Sequence, residues 1–189
     1  MTARRELPAL RALIWDELAQ AAASREHAWR TAVLATVHAE GADARTVILR
    51  ETDAARQTLV FFTDARAGKV AQIQAQPLGT VVMWSAALGW QLRLKVALTL
   101  HADGLAVSSR WARLQHSRAA QDYLSPLAPG QALTPPPETA PPSAPGPAAQ
   151  RAHFGVLEAQ VQRIDWLALQ AHGHERAVFD TEGARWVQP

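Results

Sequence analysis

The 189-residue sequence predicts a mainly β protein with flanking helices. Three observations predict it. Apolar runs of strand length are separated by turn residues, only three stretches carry helical spacing, and strand-like runs resume after a long proline-rich interruption.

Leu7, Leu10, Ile14 and Leu18 recur at helical spacing, so a first amphipathic helix is expected near 7–25. "WRTAVLATVHAEGADARTVILRE" then offers two apolar runs around Glu40-Gly41-Ala42-Asp43, read as a hairpin. A third strand, rich in aromatic and branched residues, covers 58–63. A helix follows at 67–76, with Val70, Ala71 and Ile73 on its apolar side, and stops at Pro77. Strands at 79–85 and 90–101 come next, then a helical piece at 105–124 built on Leu105, Val107, Trp111 and Leu114. Along the second of these strands Gln91, Arg93 and Lys95 share one face, while Leu92, Leu94 and Val96 face the core.

Between Pro126 and Pro147 stand nine of the twelve prolines, a composition that predicts a loop at 126–149. Strands return in "HFGVLEAQVQRIDWLALQ" and "ERAVFDTEGARWVQP", with Glu182-Gly183 at a turn. Because the chain comes back to the sheet, one domain spanning 1–189 is expected.

Composition bounds the function. No cysteine is present, which excludes disulfides, thiolate metal sites and a cysteine nucleophile. The net charge is only +2 and the basic residues are scattered, so no nucleic-acid partner is expected. No window is apolar enough to span a bilayer and no signal-peptide core opens the chain, which predicts a cytoplasmic protein with no membrane partner.

The stretch "FFTDARAGKVAQIQAQP", residues 61–77, points to chemistry. Arg66 and Lys69 stand where a helix begins, an end that already bears partial positive charge. Backbone N–H groups, the Thr63 hydroxyl and two cations at one helix mouth suit a phosphate; the alternative is that both cations are simply solvated. Lysine is scarce, with Lys69 and Lys95 against seventeen arginines.

Arg45-Thr46-Val47-Ile48-Leu49-Arg50, then Phe62-Thr63, Lys69 ahead of "AQIQAQP", Gln91 in "WQLRLK" and "HERAVF" before a C-terminal proline form a series. In order and spacing, through 30–101 and 153–189, this series resembles the pyridoxamine 5'-phosphate oxidase family, and more narrowly its oxidase-like branch. The resemblance implies an FMN-binding split β-barrel, a homodimer with FMN at the subunit interface, and a small-molecule substrate. It places Arg45, Lys69 and Thr63 at the FMN phosphate, with Gly68 beside them. It runs Arg45, Thr46, Val47, Ile48, Leu49 and Arg50 along the flavin, sets Phe62 next to it and Gln91 at the isoalloxazine edge. Arg176 corresponds to an arginine that closes over the flavin from the partner chain. By strand alternation, Arg45 and Arg50 point to opposite faces.

Departures are as informative. Authentic pyridoxamine phosphate oxidases carry a paired arginine and lysine at the helix mouth, whereas Gly68 precedes Lys69 here; Arg66 is the candidate to compensate. The family's substrate lysine falls on Arg50, its substrate-phosphate tyrosine and serine on Leu114 and Asp122, and its Arg-x-His on His172-Gly173-His174. Arg50, Arg118 and His174 remain as substrate-contact candidates, and no catalytic base is identified. No metal site is expected, because His172 and His174 lack a third ligand nearby. The expected function is an FMN-dependent oxidoreductase of unknown substrate, distinct from the authentic oxidase. The alternatives are a non-catalytic FMN-binding or storage protein, and a barrel that serves as an interaction module without cofactor.

Overall fold

A computed structural model describes residues 5–133, 151–171 and 173–189. Most of the expected proline-rich loop lies outside the described residues, as does His172.

The first helix, α1 (Leu7–Ala23), carries Pro8 in its opening turn, where no helical amide bond is lost. It buries Leu10, Ile14, Trp15, Leu18 and Ala21 along one stripe. A short 3-10 turn at Ala28–Arg30 leads into β1 (Thr31–His38) and β2 (Gly41–Asp53). The reversal comes earlier than expected. His38 pairs with Gly41, so the loop is Ala39-Glu40 and not 40–43. Gly41, at φ 133°, completes the reversal and leaves Ala42 and Asp43 extended against Val37 and Thr36. Asp43 is therefore a strand residue, two positions from Arg45 and on the same face.

β3 (Thr58–Asp64) runs into α2 (Gly68–Ala75), then β4 (Leu78–Ser85) and β5 (Trp90–His101). α3 (Gly104–Leu114) buries Val107, Trp111 and Leu114. The expected helix of 105–124 is broken: α3 ends at Leu114 and a separate 3-10 segment covers Arg118–Tyr123. Leu105, expected on the apolar face, is 84% exposed, because it lies two residues from Val107 and thus on the far side of the helix. β6 (Phe154–Ala168), β7 (Glu175–Asp180) and β8 (Gly183–Val187) complete the fold. The last hairpin turns at Thr181-Glu182, one residue before the expected position, with Gly183 at φ 114°.

The eight strands of the described residues form one antiparallel sheet in the order β3-β2-β1-β4-β5-β6-β7-β8. An additional β3–β6 pairing closes β1 through β6 into a barrel. β6 is shared: Phe154–Gln160 pairs with β3, and Ile164–Ala168 pairs with β7. The barrel splits where β6 changes partner, and α1 packs against β2 and β8.

Two apolar clusters explain why Leu59, Val60, Phe61 and Phe62 are consecutive. Leu59 and Phe61 face the barrel core with Leu34, Leu49, Leu92, Leu94 and Leu157. Val60 and Phe62 face the other way, against Val107, Trp111, Tyr123 and Phe154. Each large apolar side chain fully buried in this way contributes about 1.5–3 kcal/mol. Gly79 permits β1 and β4 to approach, since a Cβ there would lie 2.9 Å from the Ala35 carbonyl oxygen. No helix among the described residues is long and apolar enough to cross a membrane.

Candidate functional site

One corner of the barrel gathers several of the predicted residues. Asp43 and Arg45 project from the same face of β2, opposite Thr36 and Leu34 of β1, and α2 lies over them. Arg45 donates to the Thr36 hydroxyl at 2.6 Å, to the Leu34 carbonyl at 3.2 Å and to Gln72 Oε1 at 2.9 Å. Its Nη2 is 2.6 Å from Asp43 Oδ2. Gln72 Nε2 donates to the same Asp43 oxygen at 2.8 Å, which ties α2 to the hairpin. The hydrogen bond from Gln72, aided by the one from Arg45, holds the Asp43 carboxyl below its usual pKa against the upward push of desolvation.

Lys69 lies one turn before Gln72, on the same side of α2. It is half-buried, yet its ammonium makes no hydrogen bond or ion pair with the described residues. Burial, and then the positive charge of Arg45, hold the Lys69 pKa below the ordinary lysine value. Ammonium groups in this position gain from an anion, since burial removes water and no hydrogen bond to the described residues replaces it. Gly68 opens α2 at an exposed position, and a Cβ there would meet nothing within 4 Å.

Arg66 does not join this corner. It donates from Nε and Nη2 to the two Asp64 carboxylate oxygens at 3.0 and 2.7 Å, and its guanidinium also reaches the Ser125 and Pro126 carbonyls. The anion for Arg66 is thus supplied by its neighbour two residues earlier, and the compensation for Gly68 expected of Arg66 is not observed. Burial pushes the Asp64 carboxyl up, but the hydrogen bonds from the Arg66 side chain and backbone N–H outweigh it and leave its pKa lowered. Thr63 is buried, and its hydroxyl donates to the Asp64 carbonyl at 3.2 Å.

A second group occupies the outer face of the sheet. Within β2, Val47 and Leu49 are buried in the core, whereas Thr46 and Ile48 alternate to the outside. Register carries Thr46 across Val33, Val82 and Arg93 to Asp165. The next row runs from Trp84 through Gln91 and Leu167 to Arg176. Arg176 donates to both Asp165 oxygens, at 2.8 and 2.7 Å, and Arg93 stands 3.7 Å from the same carboxylate. Burial pushes Asp165 up, but Arg176 and the neighbouring arginines bring its pKa below the usual value. Trp84 pairs with Gln91 and is exposed, as is Val33 near it, while the exposed Val37 and Leu78 lie further along the same strands.

Arg50 stands apart from Arg45. Its Cζ lies 5.4 Å from the centre of the Phe62 ring, and its Nε is buried without a hydrogen-bond partner among the described residues. Burial raises the Tyr123 pKa, with Arg50 beside it drawing it part of the way back. Leu114 is packed in the second apolar cluster, while Arg118 and Asp122 are exposed on the 3-10 segment. His174 is exposed, accepts a hydrogen bond from the Gln170 amide at 3.3 Å and helps to line a small cavity with Trp186. Among the described residues no group of three or more His, Cys, Asp or Glu could hold a metal. A larger cavity, about 1180 Å3, lies between α1 and the β7–β8 turn and contains none of the predicted site residues.

Sequence reasoning missed Asp43, Gln72, Thr36, Asp165 and Tyr123. Two of them carried a signal. Asp43 sits at strand spacing from Arg45 and Gln72 at helical spacing from Lys69. The other three are brought in by register and packing alone.

Residues 12–102 match the family described as "Pyridoxamine 5'-phosphate oxidase, FMN-binding domain". No curated protein matches the sequence. Among solved structures, the chain is similar to a pyridoxamine 5'-phosphate oxidase-related, FMN-binding protein of Nostoc punctiforme PCC 73102, at 24% identity and a TM-score of 0.69. The match covers 95% of this chain and 96% of that one. PhzG from Burkholderia lata 383, solved with tetrahydrophenazine-1-carboxylic acid, is similar at 15% identity and a TM-score of 0.68, over 98% and 94% of the two chains. General stress protein 26 of Bacillus anthracis str. Sterne is similar at 13% identity and a TM-score of 0.52, over 81% and 92%. At these identities the structures speak for the fold.

Proposed function

We propose that this chain, whose residues 12–102 match the pyridoxamine 5'-phosphate oxidase FMN-binding domain, is an FMN-binding split barrel of that family and acts as an FMN-dependent oxidoreductase on a small molecule. The observation that carries the reading is Lys69, a half-buried ammonium with no partner among the described residues, beside Arg45. The donor set fits a phosphate: Lys69, Arg45 and the Gln72 amide converge there, and the exposed start of α2 leaves room.

In this reading Lys69 and Arg45 hold the phosphate. Thr46, Ile48 and Arg50 flank the flavin along the outer face of β2, with Phe62 beyond, and Gln91 donates to the isoalloxazine edge. Val47 and Leu49 contribute through their backbone, since their side chains are in the core. When bound, FMN would supply the redox chemistry. The chain's own residues position the groups and exclude water. Arg50, Arg118 and His174 are the substrate-contact candidates. Two copies pair through the face that exposes Val33, Val37 and Trp84, and Arg176 closes over the partner's flavin once it leaves Asp165.

A non-catalytic FMN-binding protein is the second reading. It is favoured by Leu114, which is buried where the family's substrate-phosphate tyrosine falls, and by the acidic Asp122 beside Arg118. Anaerobic mixing of the flavin-loaded protein with candidate donors separates the two. Bleaching of the flavin absorbance by a small-molecule donor supports the oxidoreductase, and a flavin that no donor reduces supports the storage role.

A further inference from the structure

The anion that Arg45 holds in this structure is the chain's own Asp43. The carboxylate takes Arg45 Nη2 at 2.6 Å and Gln72 Nε2 at 2.8 Å, two donors that would otherwise face the corner where Lys69 lies unpaired among the described residues. Its place is set by the early hairpin reversal at Ala39-Glu40, which puts Asp43 in register with Thr36 and on the face of Arg45. The Asp43 side chain is 49% exposed, against 20% for Arg45, so it can turn out to water without disturbing the barrel, whereas Arg45 is anchored by Thr36 and the Leu34 carbonyl.

We propose that Asp43 is an internal competitor for the phosphate subsite: its carboxylate occupies Arg45 and Gln72 until a phosphate monoester displaces it. The inference rests on the proposed placement of the FMN phosphate at Arg45 and Lys69. Two forces then work against a bound phosphate. Arg45 and Gln72 must exchange one acceptor for another, so part of their gain is cancelled. Asp43, turned outward on the same strand, still lies near a dianion of like sign. Asp43 therefore sets how strongly the site prefers a phosphorylated flavin over an unphosphorylated one. The titratable groups around this corner are Arg45, Lys69, His38 and the more distant Asp64, which Arg66 already engages.

The test compares FMN with riboflavin as probes, titrated against the full-length chain stripped of flavin, in the parent, Asp43→Asn and Lys69→Ala. The asparagine side chain keeps an amide oxygen for Gln72 or Arg45 and removes the charge. The expected result is FMN binding about two- to tenfold tighter in Asp43→Asn, with riboflavin unchanged and the gain shrinking as salt is added. FMN binding that is unchanged or weaker overturns the inference and makes Asp43 a residue that merely orients Arg45. Equal tightening of both ligands also overturns it, because the effect would not reach the phosphate. Failure of the underlying reading looks different: the parent would then show no preference for FMN over riboflavin, and Lys69→Ala would change nothing. A parent that prefers FMN, a Lys69→Ala variant that loses the preference and an Asp43→Asn variant that gains none overturn the Asp43 inference alone.

Discussion

Arg45 and Lys69 meet at one corner of the barrel in opposite conditions: Arg45 is bonded to four acceptors, and Lys69 to none among the described residues. The guanidinium is a fixed post of the scaffold. The ammonium, depressed in pKa by burial and by that guanidinium, is the group whose state changes most when an anion arrives.

Replacing Lys69 with alanine is expected to weaken FMN by about 1–3 kcal/mol, the order of a hydrogen bond to a charged group, or roughly five- to 150-fold. Riboflavin affinity should not change. Flavin fluorescence titration of the two ligands reads both numbers.

Substituting Gly68→Arg should strengthen FMN binding about three- to tenfold, because a Cβ at this position meets no atom within 4 Å and the arginine adds a second cation to the helix mouth. Without FMN the same change should cost about 0.3–1 kcal/mol, since a cation opposes the dipole at a helix N-terminus. Melting curves with and without FMN should therefore move in opposite directions.

The lowered Lys69 pKa fixes the sign of a pH effect. A phosphate favours the charged ammonium, so FMN affinity should fall as pH rises through the Lys69 pKa, and it should begin to fall below the ordinary lysine value of about 10.4. A titration series between about pH 7 and 10 follows this. In Lys69→Ala the decline over that range should disappear.

Asp64 and Asp165 both have lowered pKa values, each through arginine, so each stabilises the fold above its unfolded pKa of about 3.9 and loses that contribution as pH falls through the folded value. Asp64→Asn should lower the melting temperature at neutral pH, where the bidentate pair with Arg66 is removed. At acid pH below the folded Asp64 pKa the variant and parent should converge, because the parent carboxyl is then protonated as well. Melting at both pH values tests this.

Trp84→Arg should shift the protein toward monomer in sedimentation velocity while leaving the fold intact, since Trp84 is 46% exposed and packs no core. The charge would fall within the proposed apolar contact between copies.

The barrel strands were legible because alternation is strict where one face is buried: in β5, Gln91, Arg93 and Lys95 lie outside, with Leu92, Leu94 and Val96 buried. The hairpin was displaced because Gly41 was read as the centre of a turn and not as the residue that ends it. Leu105 was misplaced because an apolar residue near a helix start carries no information about which side it covers. For the candidate site, Arg45, Lys69, Thr46 and Gln91 could be named from spacing and resemblance. Their partners could not: Asp165 reaches Arg176 only through the pairing of β6 with β7, and Tyr123 reaches Arg50 only through the packing of the 3-10 segment on β3. Arg66 stands at the helix mouth by position, but the carboxylate two residues away engages its guanidinium and competes with any ligand for it.

Thermal melting of the flavin-stripped protein with FMN and with riboflavin, at equal concentration, bears most directly on the phosphate site at Arg45 and Lys69. A clear rise with FMN and a much smaller one with riboflavin is predicted, as required of a ligand that binds the folded state through its phosphate. Equal shifts with the two ligands, or none with FMN, would contradict the assignment.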